Sequence, residues 1–71
     1  MIKVNGTWIH PIYRFALFSA KKRYMGSYSS FESVKERADK IVDTYIVPDP
    51  NTNGVWYLCN SGFVEFVIRE V

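Results

Sequence analysis

The sequence predicts an α+β domain in two layers: an antiparallel sheet of two hairpins flanking one α-helix, in the order ββαββ, with an extra short strand at the N-terminus. Three observations lead there. Phe31, Val34, Ala38, Ile41, Val42 and Tyr45 recur at helical spacing and make one apolar stripe. Segments 12–18 and 23–28 before that stripe, and 55–59 and 63–71 after it, are rich in β-branched and aromatic residues with period-two alternation. A chain of 71 residues holds one core, so residues 1–71 form a single small domain.

The elements follow in chain order. Asn5-Gly6 stands between Ile2-Lys3-Val4 and Thr7-Trp8-Ile9, a strong local signal for a tight hairpin turn. His10-Pro11 then interrupts pairing, because proline has no amide proton to donate. In the strand from Ile12 to Phe18, Tyr13, Phe15 and Leu17 fall on one face, which should meet the core. Ser19 to Lys22 reads as a turn and Arg23 to Tyr28 as the returning strand, where Gly26 permits a bulge or a close approach of the helix. Ser29-Ser30-Phe31-Glu32 reads as a capping box, with Glu32 reaching back to the cap. The helix opposes its apolar stripe with a solvated face of Glu32, Lys35, Glu36, Arg37, Asp39, Lys40 and Asp43.

Residues 48–54, Pro-Asp-Pro-Asn-Thr-Asn-Gly, are dense in turn formers and make the one long loop. The last two strands are joined by Asn60-Ser61-Gly62. Strict alternation puts Trp56, Leu58, Val64, Phe66 and Ile68 on one face of this hairpin. The other face then carries Val55, Tyr57, Cys59, Phe63 and Val67 beside Glu65 and Arg69. Both faces are apolar, so one should pack on the helix and the other on a partner or a second copy, a homodimer in the latter case.

Composition excludes several function classes. His10 is the only histidine and Cys59 the only cysteine, so neither a zinc site nor a disulfide is expected, and Cys59 reads as a small buried apolar residue. The acids lie on a solvated helix face with no dry pocket to shift their pKa values, and the glycines are isolated rather than grouped in a phosphate loop. The expectation is a binding protein without catalytic residues, metal or cofactor. The lone cysteine points to the cytoplasm, and neither a signal peptide nor a membrane span is apparent.

Charge is unevenly spread. Residues 1–28 carry Lys3, Arg14, Lys21, Lys22 and Arg23 with no acid, whereas acids exceed cations over the rest of the chain. Arg14, Lys21, Lys22 and Arg23, with Tyr24 among them, are the candidate contacts to nucleic acid, the cations neutralising phosphate and the ring stacking. The competing explanation is that cationic turns keep a sheet edge soluble.

The run Lys22-Arg23-Tyr24-Met25-Gly26-Ser27-Tyr28-Ser29-Ser30-Phe31-Glu32-Ser33-Val34 resembles the AP2/ERF type of DNA-binding domain. There, a strand of basic, aromatic and small residues runs into a capped helix; similar units occur in the arm-binding domains of integrases. The resemblance spans residues 12–45. It implies that the sheet face opposite the helix enters the major groove of duplex DNA, with Lys22, Tyr24 and Arg14 making contacts. Ile12, Ala16 and Phe18 stand on that face where further charges would be expected.

Two readings therefore stand side by side. One is a DNA-binding module working through the basic aromatic hairpin. The other is a small protein of the kind phages encode to act on a host protein, using Val55, Tyr57, Phe63, Glu65 and Val67 of the C-terminal hairpin; its compartment would be the host cytoplasm.

Overall fold

A computed structural model describes residues 2–4, 6–10 and 12–71. The described elements are β1 (Ile2–Val4), β2 (Thr7–Ile9), β3 (Phe15–Ser19), β4 (Tyr24–Tyr28), α1 (Phe31–Asp39), β5 (Tyr45–Pro48), β6 (Val55–Asn60) and β7 (Phe63–Glu70). The α+β class holds, with one helix against an antiparallel sheet. That sheet has five strands in the order β4-β3-β7-β6-β5, and β1 and β2 form a separate two-stranded ribbon. The ββαββ expectation thus missed one sheet strand, and the two hairpins do not flank the helix. They meet along β3 and β7, paired from Phe15↔Glu70 to Ser19↔Phe66, which makes the last strand central.

The missing strand lies within the expected helix. Ser30, in extended backbone, caps α1 by accepting from the Ser33 amide at 3.2 Å, so the cap is one residue later than the box predicted and uses Ser33 rather than Glu32. The helix then ends at Asp39, well before Tyr45. Two forces end it. Asp39 accepts from the Thr44 amide at 3.3 Å and the Thr44 hydroxyl at 3.0 Å, which pulls the chain out of helical register. Tyr45-Ile46-Val47 then suits a pleated surface and finds it on β6, in register from Tyr45↔Cys59 to Pro48↔Trp56.

The helix covers one sheet face. Leu17, Val34, Ala38, Leu58, Phe66 and Ile68 are buried between the layers, with Met25, Tyr28, Val42 and Trp56 around them. Phe31 meets Phe15 at 5.7 Å and Trp56 at 5.1 Å, both edge-on, closing the core at the helix N-terminus. Burying a side chain such as Leu58 or Ile68 contributes about 1.5–3 kcal/mol, and density of this kind is what an unstapled chain needs. Of the expected stripe, Ile41 and Tyr45 fall outside the core, because the helix stops before it can turn them inward.

A candidate binding face opposite the helix

Two β-bulges decide which side chains reach the second face. In β4, Leu17 pairs with Gly26 and Phe18 with Tyr24, so Met25 is the extra residue and Tyr24 comes to lie across from Phe18. The Gly26 backbone takes φ +152°, a conformation that other residues rarely adopt, and a β-carbon there would also sit tightly against Tyr28, 3.1 Å from its hydroxyl, so the position favours glycine. In β7, Leu58 pairs with Phe66 but Cys59 with Val64, which leaves Glu65 as the extra residue.

The second bulge corrects the face assignment made by strict alternation. Val64 moves to the side of Cys59, away from the helix, while Phe63 joins Asn60 on the other side. The Asn60 amide donates to the Asp43 carbonyl at 2.6 Å, which marks that side as the helix side. Phe63, 72% exposed, therefore does not share a face with Val55, Tyr57 and Val67, and Glu65 is the bulge residue between the two patterns.

Cross-strand register assembles the face. Tyr24, Phe18, Val67, Tyr57 and Val47 form a row across all five strands, and Ser27, Ala16, Arg69 and Val55 form the next. Part of this face is already covered. Ile9 of β2 lies over Ala16 and Phe18, and the three are buried together with Val67 and Val71 packed against them. What the N-terminal ribbon leaves open is a groove of about 240 Å³ lined by Phe18, Lys22, Val55, Tyr57, Val67 and Arg69. Beyond it toward the β5 edge lie Val47 and Tyr45, 40% and 50% exposed.

Tyr57 is held in place. Its hydroxyl donates to Asp49 Oδ2 at 2.6 Å, and Asp49 Oδ1 accepts from the amides of Asn51 and Thr52 at 2.8 and 3.2 Å. The Tyr57 hydroxyl and these amides hold the Asp49 carboxyl below the usual carboxylate range, and the same bond pushes the Tyr57 phenol up. One carboxylate thus ties the 49–54 loop to the groove wall.

The basic residues divide. Lys21, Lys22 and Arg23 are exposed together in the β3–β4 turn, where Lys22 adopts φ +66° and its amide donates to the Ser19 carbonyl at 2.9 Å. Arg14 precedes the other end of β3, roughly 17 Å away along an extended strand of five residues, so the four cations do not make one patch. Tyr24 packs edge-on against Phe18 at 5.9 Å and its hydroxyl is bonded to Ser27, which holds its ring on the sheet. The face that would enter a major groove is, at β3, the buried pair Ala16 and Phe18 beneath Ile9.

Among the described residues no group of three His, Cys, Asp or Glu could hold a metal ion. No helix among them is long and apolar enough to cross a membrane. Cys59 is buried on the second face beside Tyr45 and Val64. Sequence reasoning did not find Phe18, Lys22 and Arg69 as walls of a groove with Val55, Tyr57 and Val67. The aromatic and β-branched run Tyr45-Ile46-Val47 was the available signal for the fifth strand. No family model, curated protein or solved structure matches the chain.

Proposed function

We propose that this chain is a non-enzymatic binding protein whose second sheet face seats another polypeptide, such as a host factor, in the cytoplasm. The observation that carries the reading is the row Phe18, Val67, Tyr57 and Val47, an apolar surface that the single helix cannot reach and that Ile9 of the N-terminal ribbon covers only at Phe18. The groove is smaller than the roughly 300–1,000 Å³ of dedicated small-molecule sites, and it is open, which suits side chains of a partner better than a cofactor. The test is affinity capture from lysate with nuclease present, comparing wild type with Val47→Glu and Val55→Glu, each confirmed folded by circular dichroism. A polypeptide held by wild type and lost from both variants supports the reading; equal recovery by all three refutes it.

The exposed run Lys21-Lys22-Arg23 supports a second reading, in which the β3–β4 turn touches nucleic acid phosphates. With three cations the salt slope of duplex binding should be no steeper than about −3, and Arg14→Ala should leave it unchanged. A steeper slope, or a loss on removing Arg14, would restore a footprint running the length of the hairpin.

A further inference from the structure

The groove has a charge pattern that narrows its occupant. Its floor is aliphatic and aromatic, from Phe18, Val55 and Val67, and it is walled by Lys22 at the turn and Arg69 on β7. Lys22 is exposed and takes part in no ion pair among the described residues, which leave its ammonium available at the groove mouth. Nucleic acid fits this floor poorly. Phe18 is 2% exposed and offers no ring face for stacking.

We infer that the groove takes an extended segment of a partner protein in which apolar side chains alternate with carboxylates, the apolar side chain entering between Val55 and Val67 and a carboxylate meeting Lys22. This rests on the reading of the second face as a polypeptide site. An extended chain turns successive side chains to opposite sides, so one apolar anchor fills the groove, and the long flexible stem of Lys22 at the groove mouth reaches up to the adjacent carboxylate. Charge at such a rim governs selection and encounter more than total affinity.

The test is nuclear magnetic resonance titration of the full chain with three capped octapeptides, alternating Leu-Glu, Leu-Gln and Leu-Lys. The Leu-Glu peptide should shift the amides of residues 18, 22, 55, 57, 67 and 69, and bind about threefold more tightly than Leu-Gln, the effect of one exposed ion pair. Lys22→Glu should abolish that preference and Lys22→Arg keep it, with melting temperatures unchanged. Equal binding of Leu-Glu and Leu-Gln overturns the charge selection while leaving an apolar polypeptide site in place. Three silent peptides overturn the inference, even if the capture experiment succeeds at another part of the face. It is equally overturned if a thymidine octanucleotide moves the same amides more strongly, or if they move with protein concentration alone, which would assign the groove to nucleic acid or to a second copy.

Discussion

Replacing Asp39 by alanine removes the fastening between the end of α1 and the start of β5. The carboxylate accepts from Lys35 Nζ at 2.7 and 2.8 Å and from both the amide and hydroxyl of Thr44, while Lys35 Nζ also donates to the Thr44 carbonyl at 2.9 Å. The ion pair is i, i+4 and partly exposed, with side-chain exposures of 24% and 37%, so it contributes about 0.3–0.5 kcal/mol. Two bonds from Thr44, each at the low end of roughly 0.5–1.5 kcal/mol because solvent competes, bring the loss to about 1.5 kcal/mol. For a domain of this size that lowers the melting temperature by about 6–12 °C.

Acid should reproduce the effect. The Lys35 bond, followed by those of Thr44, holds the Asp39 carboxyl below its ordinary value. A carboxylate depressed in the folded state stabilises above its unfolded pKa of about 3.9, and that stability is lost as pH falls through the folded value. The difference between wild type and Asp39→Ala should therefore be constant near neutrality and shrink below about pH 4. Thermal melts followed by circular dichroism across pH measure both. A variant melting within about 2 °C of wild type at pH 7 would refute the assignment, as would a difference that persists in acid. The variant should also associate more readily at high concentration. Asp49 donates its amide to the Val55 carbonyl, so by alternation Thr44, Ile46 and Pro48 turn their backbone groups to the open side of β5. Pro48 has no amide proton, and Lys35 and Asp39 occupy both groups of Thr44, which leaves little edge for another strand to pair with.

Further outcomes follow from single sites. Leu58→Ala, in a fully buried position on β6, should cost about 3 kcal/mol in urea unfolding; a loss below about 1 kcal/mol would mean that the core does not centre there. Ser61 and Gly62 have φ +52° and +84° in the two-residue β6–β7 turn, so Ser61→Asn should stabilise by a few tenths of a kcal/mol, about 0.5, and a lower urea midpoint would refute that turn geometry. The Tyr57 phenol should ionise above the ordinary tyrosine range because Asp49 holds its proton, and the folded state then loses stability as pH rises through that value. Ultraviolet titration of wild type against Tyr57→Phe isolates it; a transition near the ordinary value of about 10 would dissolve the contact.

The N-terminal hairpin, the β3–β4 hairpin, the start of α1 and the C-terminal hairpin were legible because their signals are local: Asn5-Gly6, alternation through residues 15–18, serines ahead of Phe31, and Ser61-Gly62. The end of the helix was not. Ile41, Val42 and Tyr45 continue the helical spacing, and only Asp39 reaching Thr44 and the open edge of β6 turn residues 45–48 into a strand. The site was legible in the same partial way. Val55, Tyr57 and Val67 share the predicted face, but Phe63 leaves it and Val64 joins it at the Glu65 bulge, since strict alternation cannot count a residue that has no partner. Arg14 and Lys22 share a hairpin in the sequence yet stand at its opposite ends.

The sequence by itself therefore determined that this chain is of the α+β class, with more apolar sheet surface than a single helix can cover. Tertiary structure decided how that surface is divided. Ile9 folds over Ala16 and Phe18, the bulges choose which neighbours rise beside them, and the uncovered remainder is the groove between Lys22, Tyr57 and Arg69. The physical reason is that periodicity fixes which way a side chain points relative to its own strand, whereas burial depends on strands distant in the chain, and those only the folded sheet brings together.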